Sequence, residues 1–341
     1  MGKCKKIAFF NHKGGVSKTT TVFNVGWMLA SKGYKVIMVD ADSQCNLTGM
    51  VMGFKGWDEL DETKNNIKSA LAPAFESRPR LIEPVECFEI ENRENLYLLP
   101  GNIKFAENDI TLGMAQTISD ALVTLKNLPG AINYLLDETA KKYDADYILI
   151  DMSPSLSSIN QNLFMISDYF IIPTAPDYFS VMALDSLSDV LPKWYRQSVR
   201  LQKNEILQDA EYKFPNKTPK FLGNIIQKFN TRSNRPTKGF KKWVQKINEL
   251  TSNRFIPALR EENMLLNENC YNDDYILAEI KDFQSLIAYS QESSKPVFAL
   301  SKDELKQGGN VWSSSEGNIE QFEKLFSTLA NSIQRSTNGE C

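Results

Sequence analysis

An α/β protein, with a mostly parallel twisted sheet and helices on both faces, is predicted by two features of the sequence. Short, continuous apolar runs alternate with helix-like stretches: Ile7–Asn11, Lys35–Asp40, Leu96–Leu99, Tyr147–Ile150, Tyr169–Pro173 and Phe221–Ile226. Unbroken apolar runs belong to strands buried on both sides, and the helices between them serve as crossovers. Three polar clusters also follow such runs, at Asn11–Lys18, Asp40–Gln44 and Asp151–Pro154. In these sheets ligands bind beyond the carboxyl ends of the strands, so the three clusters are expected to share one site.

The elements follow in order. The first run, Ile7–Asn11, stops at a Gly-rich loop, His12–Lys18. Thr19–Ser31 then carries Val22, Val25, Met28 and Leu29 at helical spacing, with Gly33 beyond its end. Lys35–Asp40 is the second strand and closes on an acid. Gly53–Asn95 and Tyr271–Ser294 are polar and less periodic, and read as insertions in a single domain spanning 1–341. No internal repeat and no low-complexity tract interrupts the chain.

Composition sets limits on function. The 341 residues include 39 Lys and Arg, 42 Asp and Glu, a net charge of −3, one His and five Cys. A lone His12 inside the Gly-rich loop excludes multi-His zinc sites and speaks against a Ser-His-Asp triad. The cysteines at 4, 45, 87, 270 and 341 make no C-x-x-C pair, which fits a reducing cytosol better than a disulfide framework. No apolar run approaches the ~20 residues of a membrane span, and the early first strand leaves no room for a signal peptide. A cytoplasmic protein is expected.

The loop carries the chemistry. Asn11-His12-Lys13-Gly14-Gly15-Val16-Ser17-Lys18-Thr19-Thr20 lies between a strand and a helix. Small residues let successive backbone N–H groups curl around phosphate oxygens, and the helix N-terminus adds positive potential. Lys18 is placed to bridge the β- and γ-phosphates of a nucleotide, and the Thr19 hydroxyl to ligate Mg2+. The general pattern G-x-x-x-x-G-K-[ST] is nonetheless broken, because His12 and Ser17 stand where its glycines belong.

What remains, Lys-Gly-Gly-Val-x-Lys-Thr-Thr, resembles the deviant Walker A box of the ParA/MinD family of P-loop ATPases. Asp40-Ala41-Asp42-Ser43-Gln44-Cys45-Asn46-Leu47-Thr48 is similar to that family's second motif, and Ile150-Asp151-Met152-Ser153-Pro154 to its Walker B strand and switch. Leu98-Leu99-Pro100-Gly101-Asn102 and Lys295-Pro296-Val297-Phe298 match further landmarks, and Phe229-Asn230-Thr231-Arg232 resembles the segment near the nucleotide base. The likeness runs over about 7–300 and is stronger to the ParA side than to the MinD side. It implies ATP and Mg2+ as cofactors and a homodimer formed on ATP binding. Lys13 would reach the partner subunit's nucleotide. Asp42 would orient the attacking water, Asp40 would organise the metal shell, and Asp151 would hold Mg2+ through water. Phosphoryl transfer needs positioning and charge neutralisation more than a strong base, so a site without a catalytic His is workable.

Three departures from the family pattern stand out. Ser17 replaces a glycine, and a Cβ there costs on the order of 1 kcal/mol where φ is positive. Ser43 replaces a proline, and Met152-Ser153 replaces Cys-Pro or Ala-Pro, changes expected to loosen both switch segments.

One stretch has a charge of its own. Lys193–Arg254 holds 15 Lys and Arg against four acids, a balance of +11. Lys193, Arg196, Arg200 and Lys203 fall on one helical face, and Lys238, Lys241, Lys242 and Lys246 on another. Such stripes attract phosphate backbones without reading sequence, so non-specific DNA is the expected partner and nucleoid association the expected location. A stimulating partner protein is implied by the resemblance. Two other readings have a basis in the chain: a nucleotide-gated regulatory or defence module with little turnover, motivated by Ser17, and a MinD-like membrane ATPase. The latter rests on Ile319, Phe322, Leu325, Phe326, Leu329 and Ile333 along the last helix. Its polar side is too acidic for a lipid interface, so packing against the sheet is expected.

Overall fold

The computed structural model describes residues 4–53, 65–91, 93–117, 125–229, 231–232, 235–236, 238–305 and 310–340, without the side chains of 228–238 and 310–315. Its strands are β1 (Lys5–Phe9), β2 (Val36–Asp40), β3 (Phe88–Glu89), β4 (Leu96–Leu99), β5 (Tyr147–Asp151), β6 (Tyr169–Thr174), β7 (Lys220–Phe229), β8 (Thr231–Arg232), β9 (Arg235–Pro236) and β10 (Ile276–Lys281). Among the described residues an eight-stranded sheet runs in the order β10-β7-β6-β1-β5-β2-β4-β3. All its pairings are parallel except that of β3 with β4. A separate two-stranded ribbon joins β8 to β9.

The helices are α1 (Lys18–Ser31), α2 (Asn46–Met52), α3 (Ile67–Phe75), α4 (Asn108–Thr117), α5 (Leu128–Tyr143), α6 (Ser158–Ile166), α7 (Tyr178–Lys203), α8 (Glu205–Gln208), α9 (Lys238–Leu250), α10 (Ile256–Glu261), α11 (Leu286–Ser293) and α12 (Asn310–Asn338). Strand side chains alternate between faces, and the core divides accordingly. Ala8, Ile37, Val39, Ile148 and Ile150 pack with the helices α5, α6 and α7. Ile7, Phe9, Val36, Met38 and Leu149 pack with α1 and α12. The α/β doubly covered architecture is as the sequence predicts.

Two elements differ from the sequence reading. Residues 271–294, read as an insertion, contribute the edge strand β10, which pairs with β7. As an edge strand it buries only Ile280 fully, so its sequence Ile-Leu-Ala-Glu-Ile-Lys lacks the continuous apolar signal of its neighbours. Within 53–95, residues 54–64 lie outside the described residues, while β3 extends the sheet beside β4.

The apolar stripe of α12 is spent on the core. Phe322, Phe326, Leu329 and Ile333 are buried, with the Phe322 ring 4.7 Å from Phe283 and the Phe326 ring 5.6 Å from Phe298. Over residues 316–338 this stripe is packed inward, which removes the observation behind the membrane reading. Among the described residues no helix is long and apolar enough to cross a membrane. Cys4, Cys45 and Cys87 are thiols, whereas Cys270 is disulfide-bonded, against the expectation of a fully reduced set.

Candidate functional site

Parallel register places the acids together. Asp40 ends β2 directly opposite Asp151 at the end of β5, and Phe9 of β1 stands opposite Asp151 on its other side, just before the Gly-rich loop. Asn11 then shapes the loop. Its Nδ2 donates to the Pro173 carbonyl at 2.8 Å, and its Oδ1 accepts from the Lys13 N–H at 2.9 Å. Gly15 and Ser17 both take positive φ, 75° and 55°. A left-handed residue is what turns the loop into the N-terminus of α1, and Ser17 makes no side-chain cap hydrogen bond in return. The strain anticipated at Ser17 is therefore present. Ser17→Gly is expected to raise stability by up to about 1 kcal/mol, read as a higher melting temperature of the nucleotide-free protein.

Lys18, at the first position of α1, is buried. Its Nζ donates to the Lys13 carbonyl at 3.4 Å, closing the loop on itself. Burial lowers its pKa, while Asp151 and Asp42 act in the opposite direction. The base of α1 is braced from β7: the Gln227 amide donates to Thr21 Oγ1 at 2.6 Å, and Thr21 Oγ1 donates to the Ser17 carbonyl at 2.8 Å.

The acids play distinct parts. Asp40 is consumed by its own turn, accepting from the Thr48 N–H and Thr48 hydroxyl at 2.7 Å each and from the Asp42 N–H at 3.2 Å. Thr48 in turn accepts from the Gly101 N–H at 2.9 Å. A Cβ on Gly101 would stand 3.0 Å from Asp40 Cγ, so any larger residue would press on this strand end. Asp42 Oδ1 accepts from the Gln44 N–H at 3.0 Å. Asp151 is the opposite case: both carboxylate oxygens are buried with no hydrogen-bond partner. Burial, then the Asp40 charge, pushes its pKa up to about 8, while Thr19 and Lys18 pull it down; burial pushes Asp40 up to about 6.

An orphaned carboxylate beside the Thr19 hydroxyl fits a Mg2+ shell completed by phosphate oxygens and water. Among the described residues no three His, Cys, Asp or Glu side chains form a metal cage of their own. A Mg2+ ion held by one or two protein ligands plus phosphates needs none. The raised values also give stability a sign. A carboxylate whose folded pKa lies above its unfolded one stabilises the protein fully below the unfolded value and loses that contribution as pH rises through the folded one. The nucleotide-free protein is expected to lose stability from about pH 4 towards 8. Thermal melts of Asp151→Asn should come nearest to wild type at about pH 4 and exceed it by a widening margin towards pH 8.

The segment after Asp151 is pinned, not loosened. One amide, Asn160 Nδ2, reaches the carbonyls of Ser153 and Ser155 at 2.8 Å each and their hydroxyls at 3.0 and 3.3 Å. Asn160 thus supplies from α6 a restraint on the segment in which Ser153 stands. The Asp40–Thr48 contact does the same for the segment holding Ser43.

Lys13 faces away from its own loop. Its ammonium pairs with Asp177, the N-cap of α7, and lies 3.1 Å from Ser180 Oγ. Around the same rim Leu156, Phe179 and Met182 are 48, 67 and 53% exposed, and Ile110 and Met114 of α4 are also exposed. Gly14, Val16 and Thr20 complete the loop and the first turn of α1 as expected. The Phe229 side chain and Asn230 lie outside the described residues. Sequence reasoning missed Asp177, Ser180, Asn160 and Gln227, and quoted Thr48 only as the end of a motif. Only Asp177 and Ser180 carried a local signal, an Asp followed three residues later by Ser at a helix start.

The basic segment is partly neutralised. Arg196 pairs with Glu262 at 2.5 Å, Arg254 with Asp185 and Asp189 at 3.0 and 2.9 Å, and the buried Lys217 with Asp168 at 2.7 Å.

Residues 4–207 match the family model described as an AAA domain. Among curated proteins the chain is similar to the sporulation initiation inhibitor protein Soj of Bacillus subtilis, at 32% identity over 61% of this chain and 69% of that one. It also matches an uncharacterised Mycobacterium tuberculosis protein at 34% identity, covering 56% of this chain but only 53% of the relative. The fold resembles that of an ATP complex of Cyanothece McdA, with a TM-score of 0.62 and 16% identity over 98% of both chains. A plasmid partition protein from Borrelia burgdorferi bound to AMPPNP gives 0.55 and 20% identity over 98 and 99% of the two chains.

Proposed function

The chain belongs to the ParA/MinD type of P-loop ATPases, and from that premise we propose an ATP-operated switch that partitions or positions a plasmid, a chromosome region or other cargo on DNA. The observation that carries this reading is the placement of two lysines on one loop. Lys18 is buried inside the loop, and Lys13 is held outside it at the rim by Asp177 and Ser180. A lysine turned away from its own pocket is available to a second copy, and exposed Leu156, Phe179 and Met182 offer that copy an apolar face.

In this reading the single ATPase domain binds ATP with Gly14–Thr20 around the phosphates and Lys18 on the β- and γ-phosphates. Thr19 and Asp151 hold Mg2+, which neutralises charge on the phosphates, and Asp40 keeps the Asp42–Thr48 turn in place for it. Phe229 and Asn230 are assigned to the nucleotide base by the resemblance of their motif alone. Two subunits close face to face, and Lys13 leaves Asp177 for the nucleotide of its partner, acting there as an arginine finger does. Asp42 orients the water for hydrolysis. Non-specific DNA binds the closed dimer, and a stimulating partner protein speeds an otherwise slow hydrolysis that reopens it. The protein works in the cytoplasm on the nucleoid.

A regulatory module with little turnover is the second reading, favoured by the strained Ser17 inside the loop. Phosphate release measured with and without duplex DNA separates them. The switch predicts release above background that tracks the dimer; negligible release under every condition contradicts it.

A further inference from the structure

The sequence offers two basic stripes and no means of choosing between them; the structure does. α7 is 26 residues long, so at ~1.5 Å per residue Lys193 and Lys203 lie roughly 22 and 38 Å from its nucleotide end. Arg196 in this stripe is already paired with Glu262. The lysines of α9 stand differently. Lys241, Lys242 and Lys246 are exposed, with no carboxylate at ion-pair distance among the described residues. Lys242 and Lys246 hold their ammonium groups 5.8 and 5.1 Å from the centroid of the Trp243 ring. Trp243 meets Tyr178 edge-on at 6.0 Å, and Tyr178 directly follows the Asp177 that holds Lys13. This end of α9 therefore sits beside the rim at which the proposed dimer closes. The nearby acids Glu249 and Glu279 line a shallow groove with Lys241 and Asn248, and Glu249 accepts from the Gln245 amide at 2.8 Å.

Resting on the reading above, we infer that Lys242 and Lys246, ordered by Trp243 and joined by Lys241, form the grip on the phosphate backbone of duplex DNA, and that the far half of α7 does not. The chemistry favours that occupant. Lysine ammonium groups are point charges suited to phosphate and carry no fork for reading bases. A cation held over an indole face loses less side-chain freedom on binding than a free lysine. On α9 Ile247 is buried while Phe240, Trp243, Val244 and Leu250 are partly buried, so binding to a membrane surface is kept as an outcome of the test. Dimer closure would bring two such grips together, and two weak grips on one duplex bind far more tightly than one. DNA affinity then follows nucleotide state.

The test is duplex affinity over a range of salt with a slowly hydrolysed ATP analogue, with dimer mass measured in parallel by light scattering. Lys242→Gln/Lys246→Gln is expected to dimerise and to lose tenfold or more in DNA affinity. Its plot of log affinity against log salt should be shallower by about 3.6, four phosphate contacts per dimer at ~0.9 each. Lys242→Arg/Lys246→Arg should restore binding, and Arg200→Gln/Lys203→Gln should stay within twofold of wild type. Wild-type affinity in the Gln variant, or an equal loss in the α7 variant, overturns the inference and leaves the wider reading intact. A wild-type dimer that binds no duplex overturns both. Loss of binding to phosphatidylserine vesicles or to an acidic protein, with DNA binding unchanged, assigns the lysines elsewhere and overturns the inference alone.

Discussion

Replacing Lys13 by alanine is expected to leave a protein that binds ATP but stays single-chain by light scattering and hydrolyses roughly 1,000-fold more slowly, the scale of an arginine finger supplied from outside. The direction follows from where the ammonium sits. It is parked on Asp177 and Ser180 at the rim, outside its own loop, so its removal should spare nucleotide binding. The same geometry predicts an opposite effect from Asp177→Asn. Asparagine keeps the cap on the Ser180 N–H, which Asp177 now holds at 2.8 Å, while the charge that parks Lys13 is gone. Dimerisation should then occur at a severalfold lower protein concentration. The gain is modest because the pair is partly exposed and screened by solvent. Full dimerisation of Lys13→Ala with ATP would remove the mechanism.

Asp42→Ala is the second large effect, and it separates closure from chemistry. Asp42 Oδ1 holds only the Gln44 N–H, while Asp40 is fully engaged in holding the turn to Thr48. Losing a water-orienting carboxylate costs on the order of 100- to 1,000-fold in rate. The dimer should persist and become longer-lived, since hydrolysis is what opens it. Asp40→Ala should instead unseat the whole Asp42–Thr48 turn and lower the melting temperature. Single-turnover phosphate release, read beside dimer lifetime, distinguishes the two acids: an Asp42→Ala protein with wild-type release would show that this carboxylate has no part in the reaction.

The parts of this site that chemistry forces into one stretch of chain were legible in the sequence. Asn11–Lys18, Asp40–Gln44 and Asp151–Pro154 could be placed together because continuous apolar strands imply a parallel sheet, and parallel strands end on one side. The restraints on those segments were not legible, because they arrive from far along the chain. Lys13 meets a residue 164 positions away, and Thr21 one 206 away. Asn160 illustrates the consequence. Ser153 without a proline reads locally as a loose switch, yet one buried amide from the next helix pins it. β10 escaped notice for a different reason: an edge strand need not be apolar on both faces, so the pattern that identified its neighbours was absent.

The claim on which the rest depends is that each nucleotide is served by its own Asp42 and by the other subunit's Lys13. Mixing Lys13→Ala with Asp42→Ala, each inactive alone, tests it most directly. If lysine crosses between subunits, a mixed dimer contains one complete site, and the mixture should show turnover that neither variant has alone, with random pairing of a two-fold dimer setting a ceiling of about a quarter of the wild-type rate. If Lys13 serves its own pocket, every site in every pairing lacks one group, and the mixture will be as inactive as its components.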